Sequence, residues 1–265
     1  MANTIAQDVA AVSFSGTSTP NAVFGACSNP STLVAMVSCE SWNNTISGAD
    51  GTNGAYGEDA QGNSGGFGSG AGKSVAVSVA NASTASPTFT ATLGSADYGR
   101  IKLFELTCPG GRPTFDAGNG GGDVTGGTSV TTVTVTTTTP NCTMLMTSTN
   151  YPSTSSAVDS GYTGVAEVTG SASYHFSEYD ADVGAAGGKT LTWGGSTTQN
   201  AFSVAAAAYK PAAAAAAPRI VTATLVPTVL HGEDGSLLTI PASGIIGLIA
   251  PNDQDGIELA RMQEA

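Results

Sequence analysis

Hydrophobic and polar residues alternate in short runs along the first 210 residues of the chain. Residues 32–39 are mostly apolar, which predicts a strand buried on both faces, whereas residues 74–79 alternate strictly. Strand centres about ten residues apart, without a helical period, predict an all-β fold: a two-sheet antiparallel sandwich of the jelly-roll or Ig-like kind. The remaining predicted strands are 87–93, 100–106, 129–139, 143–147, 165–168, 172–176, 190–193 and 201–209.

Two glycine-rich stretches interrupt this pattern. Residues 46–72 contain ten glycines together with many Asn, Asp and Ser residues, and residues 110–127 are also rich in glycine. Long irregular loops are either functional or mobile, so the first stretch is predicted to be the most mobile or partner-dependent part of the sandwich. The second is predicted to link two strands.

A composition break at residues 211–218, where six alanines lie between prolines, predicts a linker between a sandwich domain (residues 1–210) and a C-terminal segment (residues 219–265). Two hairpins are predicted in that segment. One pairs residues 220–230 with 236–240 through an Asp-Gly turn, and the other pairs 244–250 with 257–262.

The C-terminal segment is too short to bury a core alone, so its aliphatic side chains are predicted to cover a partner surface. This partner is either the chain's own sandwich or a neighbouring subunit. We therefore interpret the segment as an assembly or anchoring element. Its candidate contact residues are Ile220, Leu225, Leu230, Leu238, Ile245, Ile246, Leu248 and Ile249.

Charge is scarce and negative: eight Lys and Arg residues against twenty Asp and Glu give a net charge of −12. Binding to nucleic acid or to an anionic membrane needs clustered cations, so neither is expected. No apolar run of about 20 residues is present, and membrane insertion is not expected. The N-terminus lacks a basic, then apolar, signal pattern, which favours synthesis in a host cytoplasm.

Motif-like segments fail on their chemistry. A phosphate-binding loop at residues 68–74 would need glycine where Phe67 stands. A calcium loop around residues 253–256 would need ligands at Pro251 and Met262. No cofactor or metal is therefore expected. The four cysteines show no metal-binding spacing and are predicted to be buried thiols, although disulfide pairing stays open: Cys27, Cys39, Cys108 and Cys142.

Catalytic chemistry has few candidates. Strand alternation places His175 on the face of its strand that Tyr174 and Phe176 do not occupy, and this face is predicted to be solvent-exposed. His231 lies at the edge of a turn. Neither histidine accompanies a nucleophile motif. A glycosidase would need two carboxylates, such as Glu105 with Glu167 or Glu178, at a defined separation. The low charge content favours a protein that is not an enzyme.

Aromatic residues around the first glycine-rich stretch suggest a glycan site. Trp42, Tyr56 and Phe67 lie close to several Asn and Asp residues. Ring faces cover sugar C–H groups while amides bind hydroxyls, which makes these three residues possible glycan-binding residues. The alternative is that Trp42 packs at the sandwich edge and the stretch is a spacer.

Residues 33–210 resemble a β-sandwich family of phage and bacterial surface proteins. The resemblance rests on the apolar strand 33–37, the Glu-containing strand 100–107, the Thr-rich strand 131–139 and the closing strand 204–210. It implies a sandwich used for display, adhesion or particle decoration, and it does not extend to residues 219–265.

Together these features favour a non-enzymatic structural protein of a phage-like virion, either a capsid decoration or cement protein or a tail fibre subunit. Its expected partners are further copies of itself and other virion proteins. A glycan-binding adhesin module is the alternative function, with a cell-surface glycan as its partner.

Overall fold

The computed structural model describes residues 2–65, 72–123, 131–151, 159–169, 173–193 and 201–213, together with four short strands between residues 219 and 249. The chain forms two compact units, Met1–Ala214 and Ala215–Ala265. All regular structure in the described part is β-strand, every strand pair there is antiparallel, and the sheets do not close into a barrel. The prediction of an all-β sandwich is therefore confirmed.

Nine strands make up the first half of unit 1. They are β1 (Thr4–Thr17), β2 (Asn21–Val23), β3 (Ser31–Cys39), β4 (Ile46–Asp50), β5 (Gly54–Ala55), β6 (Gly57–Asn63), β7 (Lys73–Asn81), β8 (Thr88–Leu93) and β9 (Asp97–Thr107). The first inner sheet has the order β1-β9-β3-β7-β6, and the first outer sheet has the order β2-β8-β4-β5. The N-terminal strands β1 and β2 were not predicted from the sequence.

The described residues of the second half form seven strands. They are β10 (Thr114–Asp123), β11 (Thr131–Thr137), β12 (Thr143–Tyr151), β13 (Thr163–Thr169), β14 (Tyr174–Asp180), β15 (Gly187–Trp193) and β16 (Ala201–Lys210). The second inner sheet has the order β10-β16-β12-β14-β13, and the second outer sheet pairs β11 with β15. Strand for strand, this repeats the first half without β4 and β5. Unit 1 therefore contains the same sandwich topology twice.

The two sandwiches pack back to back through their inner sheets, which gives four β-layers and three cores. In β3, Leu33, Ala35 and Val37 pack towards the first outer sheet. Val34 and Met36 point the other way and pack against the second inner sheet. The predicted burial of residues 32–39 on both faces is confirmed, because period-2 alternation places the side chains of a middle layer in two cores.

Glycines allow the backbones of the two inner sheets to come into direct contact where β6 faces β10. A Cβ atom at Gly120 of β10 would lie 1.8 Å from the carbonyl oxygen of Gln61 in β6, and one at Gly62 would lie 1.8 Å from the carbonyl oxygen of Val204. The prediction of irregular structure is therefore wrong for Thr114–Asp123 and for most of residues 46–63. Residues 66–71 and 124–127 lie outside the described residues.

The described residues of unit 2 form four short strands. They are β17 (Arg219–Thr222), β18 (Val229–His231), β19 (Leu237–Thr239) and β20 (Ile246–Ile249). The strand β18 pairs with β19, as predicted, and β20 pairs with β17. The predicted hairpin of residues 244–250 with residues 257–262 stays a prediction, because residues 257–262 lie outside the described residues. Arg219 pairs with Ile249 and His231 with Leu237, so both ladders are centred on residue 234 and have one register.

Candidate functional site

The predicted glycan-binding residues do not form a common ring surface in the described structure. Trp42 is half-buried in the loop after β3, and Phe67 lies outside the described residues. The Tyr56 ring lies in the first core, edge-on to Phe89 with ring centroids 5.0 Å apart. Its hydroxyl donates to Asp50 Oδ2 at 2.8 Å, and burial raises its pKa. The role predicted for Tyr56 is therefore wrong, since neither its face nor its hydroxyl is open to a ligand.

The amides near that stretch hold turns. Asn44 is buried and donates from Nδ2 to Asp97 Oδ2 at 3.0 Å. Asp50 Oδ1 accepts the backbone N–H of Asn53 at 2.5 Å, while Asn53 Nδ2 donates to Asp50 Oδ2 at 3.0 Å. Such side-chain contacts with nearby backbone are typical of turn-forming Asn and Asp residues. These groups stabilise the loop after β3 and the turn between β4 and β5.

A buried polar cluster joins the two inner sheets at one end of their interface. Ser38 Oγ lies 2.8 Å from His175 Nδ1, and Thr149 Oγ1 lies 3.3 Å from the same nitrogen. Arg100 crosses between the sheets and donates from Nη1 to the carbonyl oxygen of His175 at 2.7 Å. We call these four residues the polar joint. Each is at most 1% exposed, so the joint is part of the interlayer core.

His175 in the polar joint is uncharged. Burial, together with the positive charge of Arg100, lowers its pKa to about 3, against a smaller opposing effect of Asp97. The prediction that His175 faces solvent is wrong, although the predicted separation of His175 from Phe176 is correct: Phe176 lies in the third core. The second inner sheet is covered on both faces, which strand alternation alone does not reveal.

Further polar contacts tie the two sandwiches. Ser74 and Ser203 face each other with their hydroxyl oxygens 2.8 Å apart. At another point the buried Tyr209 hydroxyl donates to Asp59 Oδ2 at 2.7 Å. The first inner sheet supplies one partner of each pair and the second inner sheet the other. Sequence reasoning missed these residues, because buried Ser and Thr residues in an alternating strand look like solvent-facing ones.

The carboxylates considered as a catalytic pair lie in different cores. Glu105 stands opposite Leu33, on the face towards the first outer sheet, and accepts from Gln7 Nε2 at 2.6 Å. Glu178 stands opposite Met146, on the face towards the third core. Both inner sheets separate them, so a pairing of Glu105 with Glu178 is excluded. The side chain of Glu167 is outside the description.

Glu178 is a carboxyl group in an apolar setting. Its Oε2 accepts the backbone N–H of Asp159 at 3.0 Å, and its Oε1 has no hydrogen-bond partner among the described residues. Burial raises its pKa to about 7. The folded protein therefore favours the protonated form, and this group becomes a source of pH-dependent stability.

The cysteines are four separate buried thiols. Burial raises the pKa of Cys27 to about 11 and that of Cys142 to about 12, and it also raises the pKa of Cys39. Thiols with raised pKa values stay protonated near neutral pH and are poor nucleophiles and metal ligands. Among the described residues, no group of three or more His, Cys, Asp or Glu side chains is arranged to hold a metal ion.

The predicted assembly residues fall mainly on the unit 2 ladders. Ile220 pairs with Leu248, Leu230 pairs with Leu238, and Ile246 pairs with Thr222. Ile249 pairs with Arg219 in the ladder of β17 with β20. Leu225 and Ile245 lie outside the described residues. Six of the eight predicted contact residues therefore have a defined register position.

The comparisons with known proteins find no matching family model, no matching curated protein and no matching solved structure. The described residues include no helix long and apolar enough to span a membrane. The class that the fold defines is a four-layer β protein built from two sandwiches of equal topology, with a C-terminal β-hairpin.

Proposed function

We propose that this chain is a structural protein of a phage-like virion, either a capsid decoration or cement protein or a tail fibre subunit, and that it has no enzymatic activity. In this proposal unit 1 is displayed on the particle and unit 2 attaches it. The supporting observation is the contrast between the two units. In unit 1, buried polar side chains form hydrogen bonds with one another between the two inner sheets. The described strands of unit 2 are rich in large aliphatic residues.

The surface of unit 1 supports a display role. The outward faces of the outer sheets carry short hydroxyl side chains, such as the exposed Thr88 and Thr92 on one and Thr134 and Thr190 on the other. Thr134 and Thr190 are cross-strand neighbours with hydroxyl oxygens 3.0 Å apart. With a net charge of −12, such a surface stays soluble without many cations.

Among the described residues, no contact favours the glycan-binding alternative. It depended on three aromatic residues, and Tyr56 is a core residue. We therefore keep the virion role as the single proposal and treat glycan binding as an outcome of experiment.

Purified particles from cells that carry the gene test the proposal. Quantitative mass spectrometry should find the chain at a fixed copy number relative to the major capsid protein, and antibody labelling should place it on the outer surface. Absence of the chain from purified particles, or its presence only in the soluble lysate, would overturn the proposal. A glycan array run on the same preparation should show no selective binding.

A further inference from the structure

Among the described residues, no ladder joins the two sandwiches of unit 1. Every strand from β1 to β9 pairs with another strand of that group, and every strand from β10 to β16 pairs within its own group. The chain passes from one sandwich to the other between β9 and β10. Each sandwich is therefore held together by its own ladders, whereas the contact between them consists of packed faces and one peptide connection.

The contact between the two inner sheets is reciprocal. In the shared topology, β10 takes the place of β1, β12 that of β3 and β13 that of β6. The strand β6 packs on β10, and β1 lies beside β13. The corresponding middle strands β3 and β12 lie against each other. Exchange of corresponding strands therefore reproduces the same contacts, which is the arrangement of an isologous interface between two like partners.

The interlayer faces mix apolar and polar residues. On β9, Ile101 and Leu103 face the first core, while Arg100 and Lys102 alternate with them on the interlayer face. Lys102 forms an ion pair with Asp8 of the same sandwich, so its charge is balanced without the other half. Further polar residues on these faces are Ser38, Ser74, Thr149, His175 and Ser203. Interfaces between separately folded proteins contain such a mixture.

Each sandwich also has the size and the core of a separate domain. The strands β1 to β9 and β10 to β16 each span about 100 residues, which is typical of a two-sheet sandwich. Each sandwich encloses a core between its own inner and outer sheets, with Phe89 and Leu103 in the first and Leu191 and Phe202 in the second. These cores do not depend on the interlayer contact.

We infer that the two sandwiches fold separately, and that the inner face of each is a binding surface for a sandwich of the same topology. In this chain the partner is the other half of unit 1, and the peptide connection between β9 and β10 is not needed for recognition. This property is separate from the proposed function, because it concerns how unit 1 is assembled from its halves.

Cleavage of the folded full chain at the connection tests the inference. A protease recognition sequence is inserted after Pro109, which is exposed. The uncut variant should unfold at the same urea concentration as the parent. After cleavage at micromolar concentration, the two pieces should still elute together, near the 26.1 kDa chain mass. Pieces that separate at once at this concentration would overturn the recognition between the two faces.

Hydrogen exchange on the cleaved chain tests separate folding. The pieces are separated by dilution, or by urea below the unfolding midpoint. Amides of β3 and β7 in one piece, and of β12 and β16 in the other, should stay protected, because each piece keeps its ladders and core. Loss of protection in both pieces as they separate would mean that unit 1 is one folding unit, and would overturn the inference.

Two neighbouring glycines provide a matched pair of variants in the cleaved chain. A methyl group at Gly120 would meet the backbone of Gln61 in the other piece, whereas one at Gly121 has Val133 of its own piece as its nearest neighbour. Gly120→Ala should therefore raise the dissociation constant of the two pieces at least ~100-fold. Gly121→Ala should change it by less than ~3-fold. Equal effects would show that the facing surfaces of β6 and β10 are not what the pieces recognise.

Discussion

Gly120→Ala tests whether the two sandwiches meet backbone to backbone. The added methyl carbon would lie 1.8 Å from the Gln61 carbonyl oxygen and 2.3 Å from its carbonyl carbon. Both are backbone atoms in β6, which is held by its ladder with β7, so no side chain can rotate away. The layers must separate by roughly 1.5 Å to restore ordinary contact, which is an overpacking change in a close-packed interior.

The expected cost is about 3 kcal/mol, at the upper end of the usual range for overpacking because the backbone must move. For a unit of this size, that cost lowers the melting temperature by roughly 6–12 °C. Urea titration and thermal unfolding, followed by circular dichroism, measure the change. The slope of the urea transition should stay the same, since the surface exposed on unfolding is little changed.

Gly121→Ala is the matched control, with the same substitution one residue further along β10. The methyl carbon at Gly121 points to the other face, where its nearest neighbour is Val133 Cγ2 at 3.5 Å, an ordinary contact. This variant should be as stable as the parent, or more stable by ~0.4–1 kcal/mol, because alanine lowers the entropy of the unfolded chain. If both variants unfold at the same temperature, the close approach of β6 and β10 does not exist.

Because the pKa of His175 is about 3 in the folded protein, the free energy of unfolding should fall by about 4 kcal/mol between pH 6.5 and 3.5, as the unfolded chain takes up a proton. The midpoint of urea unfolding, measured as a function of pH, should follow this fall, and His175→Gln should make the pH dependence weaker. The folded pKa of Glu178 is about 7, so the stability that its protonated form contributes is lost as the pH rises from 4.5 through 7. Glu178→Gln should therefore raise the free energy of unfolding by up to ~3 kcal/mol at pH 8 and leave it unchanged at pH 4. An equal gain at both pH values would contradict the assignment of this effect to the Glu178 carboxyl group. Tyr209→Phe should cost ~1–3 kcal/mol by calorimetry, because Asp59 loses a buried donor. Deletion of residues 215–265 should leave unit 1 folded by circular dichroism but absent from particles, and unfolding of the shortened chain would mean that unit 2 belongs to the core.

The fold class could be read from the sequence because strand burial has a local signature. Residues 32–39 predict a doubly buried strand, and β3 is one. The Asp-Gly turn predicts the pairing of β18 with β19, since turn and register are both local properties. The candidate site could not be predicted in the same way, because the sequence around Tyr56 is the same whether its ring faces a ligand or packs against Phe89.

Alternation by itself determined which residues share a face of a strand, and His175 and Phe176 do lie on opposite faces. Only the tertiary structure decided what covers each face: the first sandwich covers the predicted solvent side of β14 and converts it into part of the interlayer core. The same holds for β10, whose glycines carry no hydrophobic pattern and become strand residues because β6 packs on them. It also holds for β20, whose ladder partner β17 lies far earlier in the chain. Periodicity is a property of one strand, whereas burial, layer order and long-range pairing depend on surfaces that are distant in the chain.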